Sequence, residues 1–261
     1  MPQDFVPYEV VPGECSKGLI LLCDHARNTI PQSYGTLGLP AGELERHIAY
    51  DIGAELVMRG LAAELGVPGI MATYSRLLID PNRGEDDPTL IRQLYDGTII
   101  PGNYPISNAE RTSRRDEFYR PYHEQVRAMI DDFLAQDIIP AVIAIHSMTD
   151  RWNGLARPWQ LSVLWDSDPR LAGPLLKAFR ELPGITVGEN EPYDGALAGD
   201  TMHRHCTSRG LSHALIEIRQ DLVREEKDAA GWVKTLAPII EKVNALPHNH
   251  VMLHHGSRTG H

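Results

Sequence analysis

The chain has 261 residues, 42% of them hydrophobic, which is ample for a sizeable core, and a formal charge of −10 with a pI near 5.6. That charge argues against nucleic acid or an anionic membrane surface as a partner, and it requires any anionic small substrate to be met by a locally basic pocket. Three cysteines, Cys15, Cys23 and Cys206, are odd in number and not spaced as a metal knuckle, so reduced thiols in a cytoplasmic protein are expected.

The amino terminus, "MPQDFVPYEV", lacks the basic start and apolar stretch of a signal peptide, and apolar runs such as "GLILLC" are too short to span a bilayer. From there, short apolar runs alternate with amphipathic stretches. The strand candidates are "GLILLCDH" (18–25), "GIMATYS" (69–75), "AVIAIHS" (141–147), "LSVLWDS" (161–167) and "HALIEIR" (213–219). Their continuous apolar character fits strands buried on both faces. The first helix is predicted over "AGELERHIAYDIGAELVMRGLAAELG", with Leu44, Ile48, Ile52, Leu56 and Leu61 on one stripe and a glycine at its end. A long charged helix, "NAERTSRRDEFYRPYHEQVRAMIDDFLAQ", carries Pro121 as a kink or break. "DPRLAGPLLKAFREL" and "DAAGWVKTLAPIIEKVNAL" complete the set. The pattern predicts one α/β domain over 1–261, a mostly parallel or mixed central sheet flanked by helices. Residues 84–108 read as an active-site loop, and 247–261 as a solvated tail holding five of the twelve histidines.

In open α/β sheets, ligands bind beyond the carboxyl ends of the strands, so the residues just after each strand are the place to look for a site. The first strand ends in Asp24-His25 and the second runs into Asp80, Asn82 and Arg83. The third ends in His146-Ser147, and the last carries Glu217 and Arg219. Alternation puts Leu215, Glu217 and Arg219 on one face of that strand, where a structural ion pair competes with a catalytic role. Asp51 lies four residues after His47, so a helix would place both on one face. Asp51, next to the apolar Ile52-Gly53, is the better metal ligand, with His47 as the alternative. Two imidazoles and a carboxylate are a common zinc set, which suggests metal-assisted hydrolysis. Glu217 would then serve as the proton carrier, and Asn82 with Arg83 as a fork for a substrate carboxylate.

The pieces "CDHARNTIP", "HIAYDIGAEL", "SRLLIDPNR", "PYH", "IHSMT" and "LIEIRQDL" run in order from residue 23 to 222. Together they resemble the N-formylglutamate amidohydrolase family, which is related in fold to zinc carboxypeptidases and aspartoacylases (phosphorylase/hydrolase-like). The resemblance implies one zinc ion bound through His25 and His146, with the acidic ligand placed at Asp51. It also implies an Asn82-Arg83 grip on the substrate carboxylate and Glu217 as general base. His123, in "RPYHEQV", matches the family pattern and is a candidate for substrate binding, as is Arg219. One departure is evident: carboxypeptidases use His-x-x-Glu, whereas Ala26, Arg27 and Asn28 follow His25 here. The expected substrate is a small anionic N-acyl amino acid, N-formylglutamate above all. A related deacylase or carboxypeptidase-like activity, and a non-catalytic small-molecule binding protein on the same fold, remain the alternatives. A serine hydrolase is rejected because Ser212 precedes its strand, whereas a nucleophile elbow follows one.

Overall fold

The computed structural model describes residues 5–259 and places seven strands in one sheet. They are β1 (Tyr8–Val11), β2 (Leu19–Cys23), β3 (Gly69–Ala72), β4 (Ala141–Met148), β5 (Leu161–Leu164), β6 (Val187–Glu189) and β7 (His213–Arg219). In space they run β1-β3-β2-β4-β7-β5-β6. The central four, β3, β2, β4 and β7, are parallel. β1 runs antiparallel on one side, and β5 runs antiparallel to β7 on the other, with β6 parallel to β5 at the far edge. The expected mixed sheet is therefore present. β1 and β6, two short edge strands, are additions to the five predicted from apolar runs.

The apolar runs of β2 and β4 are explained by burial on both faces. On one face Leu21, Ile143 and Ile216 pack with Val57, Leu61, Phe179, Leu236 and Ile240. These come from α2 (Ala54–Leu65), α5 (Pro169–Phe179) and α6 (Glu226–Asn244). On the other face Leu22, Val142 and Leu215 meet Tyr122, Val126, Ile130 and Phe133. Those four belong to α4 (Arg120–Leu134), which continues α3 (Asn108–Arg114) through a π-helical turn over Arg115–Tyr119. Pro121 thus neither breaks nor ends the helix, because it falls in the first turn after the π segment, where a missing N–H is tolerated.

The predicted helix over 41–66 is corrected. It is a single turn, α1 (Ala41–Leu44), then an irregular stretch, then α2. Within 45–53, key backbone groups bond to other loops instead of continuing a helix. Ala49 O accepts from Arg76 N–H at 3.2 Å and from the Ser75 hydroxyl at 2.8 Å, and Asp51 N–H donates to His25 O at 2.9 Å. His47 and Asp51 therefore share no helix face. The tail is also more firmly held than expected. Arg170 donates to the carbonyls of His248 and Val251, Asn249 is buried, and Arg258 pairs with Asp194 at 2.6 Å. His261 lies outside the described residues.

Gly53 ends the irregular stretch with φ 83°, and a Cβ there would lie 2.2 Å from Val223 O. Gly53→Ala is expected to cost at least about 1 kcal/mol, from left-handed strain plus displacement of the Val223 backbone. Urea unfolding measures this, and an unchanged midpoint would show that the turn has no such constraint.

Candidate active site

The carboxyl ends of β2, β3, β4 and β7 open into a cavity of about 670 Å³. His25, Asp51, Asn82, Arg83, His146 and Glu217 all line it. Loops 24–30, 45–53 and 73–83 are knitted together at its floor by the Ala49 and Asp51 bonds and by Ser75 N–H to Thr29 O at 2.8 Å.

His25, Asp51 and His146 are buried, and their donor atoms all lie within 4.8 Å of one another, a group able to hold a metal ion. Asp51 Oδ2 faces Nδ1 of His146 at 2.8 Å and Nδ1 of His25 at 3.3 Å. The opposite ring nitrogen of each histidine meets another carboxylate: His25 Nε2 meets Asp80 Oδ1 at 2.7 Å, and His146 Nε2 meets Asp24 Oδ2 at 3.2 Å. Each histidine thus has a carboxylate at both ring nitrogens. With a neutral ring whose proton sits on Nε2 and is donated to Asp80 or Asp24, the Nδ1 lone pair turns toward Asp51; with both nitrogens protonated, each donates to a carboxylate. Carboxylates behind imidazoles fix the tautomer in this way at metal sites. Lone pairs of three groups converging on one point call for a cation or a proton between them, so the donor set fits a metal.

The surrounding charges are as tightly organised. Arg76, 8% exposed, sends Nη2 to Asp80 Oδ2 at 2.8 Å and Nη1 to Asp51 Oδ1 at 3.4 Å. Asp24 Oδ1 accepts from Tyr122 and Thr201 hydroxyls, each at 2.7 Å. Burial opposes ionisation of Asp51 and Asp80, yet both are held well below the usual carboxylate range, Asp51 by its two histidines and Asp80 chiefly by Arg76. Burial likewise acts to lower the His146 pKa, but hydrogen bonds to Asp24 and Asp51 override it and raise it well above the usual imidazole value.

Glu217 sits opposite His146 in the parallel register of β7 and β4, on the face that carries Leu215. Its Oε2 is buried and, among the described residues, has no hydrogen-bond partner. Burial pushes its carboxyl up to about 7, against the pull of His146, Arg76 and Arg157. Asn82 commits its side-chain oxygen to Thr201 N–H at 3.1 Å. Arg83 donates to Thr89 and to Asn82 O and pairs with no carboxylate among the described residues.

Two predicted site residues lie apart from this cavity. His123 is buried on α4, where Nε2 meets Pro81 O at 3.0 Å and Nδ1 meets His205 Nε2 at 2.9 Å; it lines a separate cleft with Arg120 and Arg204. Arg219 pairs with Asp221 at 2.8 Å, donates to Arg157 O and borders another cleft beside Trp232. His47 does line the main cavity but faces Asp96 at 3.5 Å and is not one of the three clustered donors. Sequence reasoning missed Arg76, Arg92 and Arg157 as cavity residues, and it named Asp24 and Asp80 without giving them a role. The i, i+4 spacing of Arg76 and Asp80 was the one local signal available.

Residues 17–224 match the family model described as N-formylglutamate amidohydrolase. A curated N-formylglutamate deformylase from Pseudomonas putida is 26% identical over 193 residues, covering 67% of this chain and 71% of the relative. The crystal structure of a gene product from Agrobacterium tumefaciens superposes with a TM-score of 0.86 at 34% identity, covering 93% of this chain and 96% of that one. An N-formylglutamate amidohydrolase from Ralstonia eutropha gives 0.63 at 22% identity, with 92% and 96% covered, a likeness of fold.

Asp80 is fully buried between His25 and Arg76. Asp80→Asn leaves the guanidinium without its strongest partner and is expected to cost about 3–5 kcal/mol, the usual loss on breaking a buried pair. In urea titrations, adding Arg76→Met should recover part of that loss. A single variant as stable as the parent would contradict the pairing.

Proposed function

The chain belongs to the N-formylglutamate amidohydrolase family, and from that premise we propose that it hydrolyses the amide bond of a small anionic N-acyl amino acid, N-formyl-L-glutamate being the preferred substrate. The observation that carries this reading is the unpartnered, buried Glu217 oxygen in register with His146, in the cavity that holds the three convergent donors.

In this reading His25, Asp51 and His146 hold one divalent ion, zinc, whose imidazole and carboxylate preferences the donor set matches. Once bound, the ion supplies Lewis acidity, polarising a carbonyl oxygen and acidifying water. The chain's own residues do the rest. Asn82 and Arg83 receive the substrate carboxylate, the guanidinium by charge-assisted hydrogen bonds and the amide through its free N–H. That fixes the acyl carbon beside Glu217. The Glu217 carboxylate takes the proton of the attacking water as the new C–O bond forms, and the same oxygen then delivers it to the amine as the C–N bond breaks. The products are formate and glutamate. Asp24 and Asp80 keep both imidazoles in the tautomer that points Nδ1 inward.

The test uses tag-free protein washed of loosely held metal, because His248, His250, His254 and His255 stand near the carboxyl end. Near one zinc per chain, lost in His146→Ala, is expected, together with formate release from N-formylglutamate. Glu217→Gln should retain the metal while turnover falls by about 10²- to 10⁴-fold, the range for a positioned general base. Turnover close to that of the parent would remove Glu217 from the reaction. Arg83→Ala should raise KM by roughly 10- to 100-fold for N-formylglutamate and for N-formylglutamine alike, since it is assigned the carboxylate that both share.

A further inference from the structure

Four guanidinium groups line the cavity, and the structure uses them unequally. Arg76 is matched by two carboxylates. Arg83 donates through Nε and Nη1, and Arg157 donates to Thr149 O and to the Tyr193 hydroxyl. Arg92 is different. Among the described residues its side chain makes no hydrogen bond and no ion pair, although its Nε is buried. It is nevertheless held in place, with its guanidinium carbon 4.5 Å from the centre of the Tyr95 ring. Arg76 approaches that ring as well, at 5.5 Å, and His47 packs against it edge-on with ring centres 6.2 Å apart.

A cation stacked on an aromatic ring is restricted in orientation while all its donors remain available. Half-burial and the positive charges of Arg83 and Arg76 work against this cation, so its pKa is lowered despite the neighbouring Tyr95 and Asp80. A guanidinium kept in such surroundings without a protein acceptor is matched to an acceptor that arrives with the substrate. N-Acyl amino acids all carry an α-carboxylate, which the Asn82-Arg83 fork is assigned. Only acidic ones carry a second.

We propose that Arg92, stacked on Tyr95, binds the side-chain carboxylate of the substrate and is the residue that selects acidic N-acyl amino acids over neutral ones. The inference rests on the amidohydrolase reading for the identity of the ligand and deepens it by assigning the two carboxylates to different arginines. It also gives the connection between β3 and α3 a role in recognition, since this segment carries both Arg92 and Tyr95 and both line the cavity.

N-Formylglutamate and its uncharged near-isostere N-formylglutamine separate the possibilities. Affinities for both are measured by calorimetry on zinc-loaded Glu217→Gln protein with Arg92 intact, replaced by Met, or replaced by Lys, and kcat/KM is measured with Glu217 restored. Arg92→Met is expected to weaken N-formylglutamate by roughly 10- to 100-fold, the size of one charge-assisted pair, with N-formylglutamine changing less than about threefold. Arg92→Lys keeps the charge but loses the planar stack, and should fall between. Equal losses for both ligands would assign Arg92 to the α-carboxylate or to general folding and overturn the proposal, as would an undiminished preference for glutamate in Arg92→Met. Failure of the parent to prefer N-formylglutamate would overturn it as well. Selective binding without hydrolysis by the parent would sink the amidohydrolase reading and leave the assignment of Arg92 standing.

Discussion

The arrangement that constrains everything near the site is the meeting of Asp51 Oδ2 with the Nδ1 atoms of His25 and His146. Each of the three is buried, and a buried charge is tolerable only when it is paired and hydrogen-bonded. Arg76 pairs with Asp51 and Asp80, whereas Asp24 has no guanidinium partner among the described residues, so with neutral imidazoles the three carboxylates and Arg76 carry an excess of two negative charges. A divalent ion balances that excess, and protons on the imidazoles are the alternative means of doing so. The raised pKa of His146 is the same imbalance seen from the proton's side. Charge balance and, with the protons on Nε2, lone-pair direction both fit a cation at the same point.

The cluster explains local structure that propensity alone would not produce. Residues 45–53 have the apolar spacing of a helix, yet a helix there would place the Ala49 carbonyl and the Asp51 amide in intrahelical bonds. They are instead the acceptor for Arg76 and Ser75 and the donor to His25. Tertiary hydrogen bonding wins over a modest helix propensity, and Gly53 supplies the left-handed turn that lets α2 begin only afterwards.

This is also where the sequence was least legible. β2, β4 and β7 are unmistakable because strands covered on both faces must be continuously apolar. β1 and β6 are not, because short, half-exposed edge strands such as Tyr8–Val11 carry no such requirement. His25, His146 and Glu217 could be found by position alone, at the carboxyl ends of apolar strands. Asn82 and Arg83 follow β3 and were legible for the same reason. Arg92 and Arg157 lie on loops, where no periodicity marks which side chain turns inward. His123 and Arg219 illustrate the converse: each was picked out by a local motif or by strand alternation, but a partner, His205 for one and Asp221 for the other, holds it away from the cavity.

Division between strands and loops has a functional logic. The donors and Glu217 are borne by β4, β7 and the laced loops beside them, where neighbouring register sets Glu217 against His146. Two of the cations that line the cavity come from longer connections, Arg92 from the loop after β3 and Arg157 from the one between β4 and β5. Loops tolerate substitution that packed strands do not. A chain of charge −10 can therefore gather a basic cavity wall, and change it, without disturbing the carboxylates that hold the donors. On the proposed reading, bond cleavage would belong to the floor and the choice of amide to the wall, which would leave the two free to evolve separately.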